Sequence, residues 1–294
     1  MHSVKLINKV APYCPQIATF RSVFLSLRVF DQHGQIKMLN GQHCGTVAVG
    51  NRTLGLLSEF DKDLLGRYLQ EIALPAGSVL CERGGKEEYV YFPHRGAVSM
   101  IAAMADGSAV EIAAIGRDGV VGSLSALGLP QAFAKTVVSV ELGAVQIATR
   151  RLHEILPKTG TLGAALSADA GRLMFQAQQV SGCNALHPIE QRLARLLLRA
   201  ADCLGGNRIP FTQELMSQML GVQRTTVNLV IRMMATAGAV NNRRGWVEIV
   251  DRLRLEAKAC ECYACVRDQT KGTTLPFEHA WQSVAQGSVG EILF

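Results

Sequence analysis

Phe211-Thr-Gln-Glu-Leu-Met-Ser-Gln-Met-Leu-Gly-Val-Gln-Arg-Thr-Thr-Val-Asn-Leu-Val-Ile-Arg-Met-Met234 is the stretch whose reading decides the fold of this chain. Thr212 offers a hydroxyl N-cap, and Leu215, Met216 and Met219 mark the apolar face of a first helix. Gly221 stands where the chain must leave that helix and turn sharply, which a residue without a β-carbon does cheaply. Val222 can plug the angle. A second helix from about Arg224 buries Val227, Val230, Ile231 and Met234. Its other face leaves Gln223, Arg224, Thr225, Thr226, Asn228 and Arg232 to meet a ligand, and a short helix that leads with Arg, Thr and Asn suits a DNA major groove.

Two packed helices of an ordinary all-α core would share this periodicity. The next residues argue against that. Gly238 stops the helix, Val240 begins a strand, Asn241 to Gly245 form a basic turn, and Trp246 to Val250 alternate as a returning strand. This is a wing, with Arg243 and Arg244 at its tip in reach of phosphate. The whole reads as a winged helix-turn-helix.

Charge is distributed accordingly. The net charge is +6, and residues 189–258 carry 11 Lys+Arg against 6 Asp+Glu, whereas residues 51–157 carry 10 against 12. The positive field therefore belongs to the helix-turn-helix segment. A hydrophobic content of 48% over 294 residues is enough for two packed domains. No run approaches the roughly 18 apolar residues of a membrane span, and Arg21 and Arg28 interrupt the one early apolar stretch, so no secretory signal is visible. A cytoplasmic protein with reduced thiols is expected, and no membrane partner.

Residues 1–50 carry five Lys+Arg and one acid without a clear period, and read as a weakly ordered basic extension. Ile17 to Phe30 can be drawn as a basic amphipathic helix, and Met38 is an alternative start. From Leu54 to Leu156 short apolar runs alternate with glycine turns. A helix near Asp61–Gln70 precedes strands at Glu71–Leu74, Val79–Cys81, Tyr89–Phe92, Ala97–Met104, Val110–Ile115, Thr136–Val140 and Val145–Ala148. Such spacing predicts a β jelly roll over 51–157. Leu166, Ala170, Leu173, Ala177, Val180 and Asn184 then fall at intervals of four and three, a dimerisation seam on a long helix within 158–188. Packing on the β-domain is the alternative use of that stripe. Pro188 ends or bends the helix at His187. The DNA-binding domain occupies 189–258 and a Cys-containing tail 259–294. The fold class is α+β.

The order of jelly roll, long helix and winged helix-turn-helix resembles the Crp/Fnr family of transcription regulators. Pro75-Ala-Gly77-Ser-Val-Leu80, Tyr91-Phe92…Gly96, Asp106-Gly107 and Thr212…Gly221-Val-Gln-Arg-Thr-Thr-Val227 carry the likeness. The resemblance implies a cyclic-nucleotide-binding-like sensor domain and a homodimer on a palindromic double-stranded DNA site. It also implies RNA polymerase as a partner, Arg224 reading a base edge, and Thr212 and Gln213 on phosphate. Cyclic-nucleotide-binding members hold the ribose with a Glu and the phosphate with a forked Arg. Here Gly122-Ser123 and Lys135-Thr136 stand at those places, so cyclic AMP binding in the usual way is not expected. A different grip would draw on Arg117, Gly122, Ser123, Lys135 and Thr136. In the recognition helix Thr225 replaces a frequent Glu and Leu229 a frequent basic residue, so the operator should differ.

Cys14 and Cys44 are too sparse for an N-terminal iron–sulfur motif. Cys260, Cys262 and Cys265 lie within six residues and are candidate zinc ligands or redox groups, with His279 the downstream choice for a fourth ligand. A thiol- or metal-responsive sensor acting through them is one alternative function. A small-molecule receptor with a vestigial DNA-binding module is another. His94, His153 and His187 read as isolated, and no catalytic constellation emerges, so an enzyme is not expected.

Overall fold

The computed structural model describes residues 50–271. The basic extension before Gly50, the Ile17–Phe30 helix, Met38, Cys14, Cys44 and His279 lie outside them. In chain order the elements are α1 (Arg52–Gly55), α2 (Glu59–Gly66), β1 (Gln70–Leu74), β2 (Val79–Cys81), β3 (Tyr89–Ala103) and β4 (Ala109–Ile115). Then come α3 (Ser123–Ala126), β5 (Lys135–Ala148), α4 (Thr149–Ile155), α5 (Leu162–Leu186) and α6 (Ile189–Leu204). The remainder is β6 (Arg208–Ile209), α7 (Gln213–Leu220), α8 (Arg224–Thr236), β7 (Val240–Arg243), β8 (Trp246–Ile249), α9 (Arg252–Lys258) and α10 (Glu261–Lys271). Among the described residues no helix is long and apolar enough to cross a membrane.

The jelly-roll sheet is antiparallel in the order β1-β5-β3-β4, with β2 also on β5. Four expected strands are in fact two. β3 runs through His94-Arg-Gly96, and β5 joins the segments expected at Thr136–Val140 and Val145–Ala148. The register shifts three times between Pro93 and Val98, so the glycine that reads as a turn belongs to a bulged stretch inside a continuous strand. Gly96 has φ +84°, and a β-carbon there would lie 2.0 Å from the Glu141 carbonyl oxygen. The local signal is sound, but it marks a bend in a strand rather than its end.

The long helix packs along this sheet. Leu166 joins Val90, Phe92, Val145 and Ile147 in one apolar cluster, and Leu173 joins Val98, Ile115, Val138 and Leu142 in the next. Leu166, Leu173 and Val180 are thus buried within their own chain, which corrects their expected place in a dimer seam. Ala170, Ala177 and Asn184 are half-buried. One residue further round, Ser167, Gly171, Met174, Gln178, Ser181 and Ala185 keep the same four-and-three spacing and are exposed. A repeat of that period fixes a face of the helix, and only the fold decides what covers it.

Asp61 of α2 fixes where α5 starts. Its carboxylate accepts from the backbone amides of Gly160 (3.1 Å), Thr161 (2.7 Å) and Leu162 (3.1 Å), and from the Thr161 hydroxyl (2.6 Å). These are donors that a helix N-terminus otherwise leaves without partners. At the far end His187 is extended ahead of Pro188, as the proline requires. α6 then buries Leu193, Leu196, Leu197 and Leu198 in a core that reaches from Ala97 and Val140 of the sheet to Met216 and Ile231 of the helix-turn-helix. The two halves share that core.

Burial by itself raises a carboxyl's pKa, but the bonds from Thr161, Gly160 and Leu162 hold Asp61 below the usual aspartate value of 3.8. A folded pKa below the unfolded one means that this stabilisation is complete above the unfolded value and is lost as pH falls through the folded one. Asp61→Asn is expected to cost about 1–3 kcal/mol of unfolding free energy at neutral pH. It should also shrink the fall in stability on acidification. Denaturant melts at neutral and acid pH measure both, and an acid limb identical to the parent's would refute the charge's role.

Candidate nucleic-acid interface

α7 and α8 are local products of their sequence. The Thr212 hydroxyl accepts from the Leu215 amide at 3.1 Å, and Gly221 ends α7 in the left-handed region at φ +62°. Val227, Val230, Ile231 and Met234 are buried. Gln223, Arg224, Thr225 and Arg232 are exposed, and Thr226 and Asn228 are half-buried. Gln213 Nε2 donates to Asn228 Oδ1 at 3.4 Å, so those two polar groups are held together across the turn. The Gln223 side chain makes no cap hydrogen bond, which leaves the first turn of α8 open to an anion. Leu229 and Met233 add exposed apolar surface to the same helix.

The wing is a hairpin of β7 and β8 in which Asn241 to Arg243, expected in the turn, instead extend the strand and pair with Glu248, Val247 and Trp246, leaving Arg244-Gly245 as a two-residue turn with Gly245 at φ +85°. Arg243 and Arg244 are exposed at its tip. Sequence reasoning misses a third strand, β6, because two residues carry no period; it pairs with β8. It brings the exposed Arg208 over the Trp246 ring at 4.0 Å, adding a cation beside the wing.

This unit is held against the β-domain by a buried chain of charges. Arg199 of α6 donates to the Ala114 carbonyl (3.1 Å) and to Asp118 Oδ2 (2.8 Å). The same oxygen lies 3.7 Å from Arg172 Nη1 of α5, and Arg172 also pairs with Asp169. Burial would raise Asp118, but the Arg199 and Arg172 guanidinium groups hold it below the usual range. Asp169 goes the other way, because burial outweighs the attraction of Arg172. Beneath α6 the buried Glu111 is raised by desolvation, against the Ser99 hydroxyl bond (2.5 Å) and the Arg195 and Arg199 charges. Close approach depends on missing side chains: a β-carbon on Gly116 would lie 2.8 Å from Cys203 Sγ, and one on Gly119 would lie 2.3 Å from Arg172 Nη2.

The five candidate effector ligands are not brought to one place. Gly122, Ser123 and Thr136 line a cavity of about 30 Å³ with Glu87, Phe133 and Leu173. Lys135 is ion-paired with Glu82 at 2.8 Å. Arg117 lines a separate cleft of about 550 Å³, with Asp118, Asp202, Arg252 and Glu256. The cysteine candidates also regroup. Cys265 is exposed, whereas Cys260 and Cys262 are buried against the end of α5. Cys183 Sγ lies 3.5 Å from Cys260 Sγ, and His187 Nδ1 lies 3.5 Å from Cys262 Sγ. His187 is therefore not isolated. His94 pairs with Glu71 (2.6 Å), and His153 Nε2 meets the Ser125 carbonyl (2.8 Å).

Two families match this chain: the Crp-like helix-turn-helix domain over residues 191–258 and the cyclic nucleotide-binding domain over residues 71–158. Together they span more than half of its 294 residues. Among solved structures, FixK2 from Bradyrhizobium japonicum is 16% identical with a TM-score of 0.56, covering 65% of this chain and 98% of its own. TTHB099, a CRP-family transcriptional regulator from Thermus thermophilus, is 18% identical with a TM-score of 0.53, covering 64% and 96%. The c-di-GMP responsive global regulator CLP of Xanthomonas campestris is 14% identical with a TM-score of 0.52, covering 63% and 95%. At such identities the likeness is one of fold. No curated protein sequence matches the chain.

Asp118→Asn would leave Arg199 and Arg172 buried without their shared counter-charge. The expected loss is about 3–5 kcal/mol of unfolding free energy. A shift below about 1 kcal/mol in a urea melt, the size of an exposed pair, would contradict the role given to this carboxylate.

Proposed function

The chain belongs to the Crp/Fnr family of DNA-binding transcription regulators, and from that premise we propose that it binds a two-fold-related DNA site as a homodimer. The observation that carries this is the open first turn of α8, with Arg224 exposed on it and a basic wing beside it. In this reading Arg224 takes a guanine edge, Thr225 and Asn228 contact neighbouring bases, and Leu229 or Met233 meets a thymine methyl. Thr212, Gln213, Gln223, Thr226, Arg232, Arg243, Arg244 and Arg208 position the unit on phosphate and sugar. Dimerisation uses the exposed face of α5 from Ser167 to Ala185, where small residues let two helices approach around Met174. RNA polymerase is the downstream partner, and the site of action is the cytoplasm. The working units are the sensor over 51–157, the dimer helix and hinge over 158–188 and the DNA-binding domain over 189–258.

The β-domain is read as a sensor or support that does not hold cyclic AMP in the usual way. A cavity of about 30 Å³ beside Ser123 and Thr136 has room for a water, not for a nucleotide. Regulation then acts by shifting the balance between arrangements of the paired DNA-binding units. A second reading, thiol- or metal-dependent regulation, is favoured by the Cys183, His187, Cys260 and Cys262 group at the hinge.

Arg224→Ala is expected to cost about 1–3 kcal/mol on the selected site and to relax one base position. Arg243→Ala and Arg244→Ala should weaken specific and random DNA alike, each lowering the salt slope by about one. Selection from random duplexes followed by binding at several salt concentrations measures both; equal losses of Arg224→Ala on specific and random DNA would sink its base-reading role. Met174→Arg is expected to convert the dimer to monomers in sedimentation equilibrium, and a dimer unchanged by it would move the interface elsewhere.

A further inference from the structure

Four potential ligand atoms converge where α5 ends and the DNA-binding unit begins. The sulfurs of Cys183, Cys260 and Cys262 and one ring nitrogen of His187 all lie within 4.8 Å of one another, with Nδ1 3.5 Å from Cys262 Sγ. Cys183 and His187 come from one side, at i and i+4 with His187 just past the last turn of α5. Cys260 and Cys262 come from the other, flanking Glu261 where α10 starts. The three sulfurs are buried, and the imidazole is mostly covered, its side chain 19% exposed.

Two of the six ligand spacings match those of a tetrahedral zinc-type ion. A tetrahedral zinc with bonds of about 2.3 Å to sulfur and 2.0–2.1 Å to nitrogen sets its ligands about 3.8 Å apart for two sulfurs and about 3.6 Å for sulfur and nitrogen. Cys183 to Cys260 and Cys262 to His187 are both 3.5 Å here. An iron–sulfur cluster would spread its cysteine sulfurs over several irons, and this group is too tight for that. The surroundings also prepare the ligands. His187 Nε2 faces Glu261 Oε1 at 3.2 Å, which leaves Nδ1 with its lone pair towards the sulfurs. Gln179 Nε2 donates to Cys262 Sγ at 3.1 Å, a bond that favours the thiolate.

We propose that Cys183, His187, Cys260 and Cys262 form a closed Cys3His site for one zinc-type divalent cation, which fastens α10 to the end of α5 beside Pro188. On binding, three thiols lose their protons to solvent and neutral His187 gives its Nδ1 lone pair. Four coordination bonds form, and nothing is oxidised or reduced. The site sits at the hinge, so the ion fixes the setting of the DNA-binding unit on the long helix. This last consequence rests on the function proposed above; the ion site itself does not.

The test uses the full chain, reduced and stripped with a chelator, then titrated with cobalt(II). One equivalent per chain should give the intense ligand-field and sulfur-to-cobalt charge-transfer bands of a tetrahedral thiolate site, and zinc should bleach them. Cys183→Ser, Cys260→Ser and Cys262→Ser should each lose this spectrum, Cys265→Ser should keep it, and Glu261→Gln should weaken metal affinity about tenfold. Because a buried cysteine variant can simply misfold, alkylation of the unmutated protein is mapped by mass spectrometry in enough denaturant that the otherwise buried thiols of the metal-free protein react. Zinc should protect Cys183, Cys260 and Cys262 and leave Cys265 reactive. A weak octahedral cobalt spectrum, an iron–sulfur chromophore or no zinc-dependent protection would overturn the site. In parallel, chelation should lower affinity for the selected DNA site. Tight metal binding with unchanged DNA affinity would overturn the hinge role alone, and a metal-loaded protein with no selective DNA binding would instead defeat the functional reading.

Discussion

Asp118 sits where the β-domain, the long helix and α6 meet, and its carboxylate is shared by Arg199 from one side and Arg172 from the other. Burying three charges in this way is not obviously stabilising, since desolvation can exceed the attraction it makes possible. What it does give is a geometry with few alternatives. A shift of α6 along the sheet would strand Arg199 from both Asp118 and the Ala114 carbonyl. It would also drive Cys203 against the turn at Gly116. The apolar side chains of α6 would tolerate several settings on the sheet; the charges and the glycine do not.

The same turn serves packing in the cyclic-nucleotide-binding-like domain. The missing side chains of Gly116 and Gly119 make room for Cys203 and Arg172. Ser123 lies in a nearly filled cavity, and Lys135 is engaged by Glu82. The β-domain thus offers its contacts to α5 and α6, the two helices that carry the DNA-binding unit.

How much of this the sequence discloses follows from the range of each interaction. The helix-turn-helix and its wing are written in local terms, a hydroxyl cap at Thr212, a left-handed glycine at Gly221 and a hairpin closed by Gly245, and these positions behave as read. The glycine at 96 is visible but reads as a turn, because a bulge and a turn ask the same of one residue and differ in the strand opposite. The stripe on α5 has the right period but lies one residue away from the face left exposed. Cys183 and Cys260 are separated by 77 positions, and Asp118 from Arg199 by 81, so no periodicity could join them. Arg208 escapes for the opposite reason, a strand too short to leave a pattern.

The DNA-binding segment leaves α5 at Pro188 and, after the wing, returns through α10 to the same end of the same helix. It is a handle with both feet on one rod. A domain hung from a single linker can swing in any direction, but this one has its entry and exit side by side and is braced between them by the core that α6 and α7 share with the sheet.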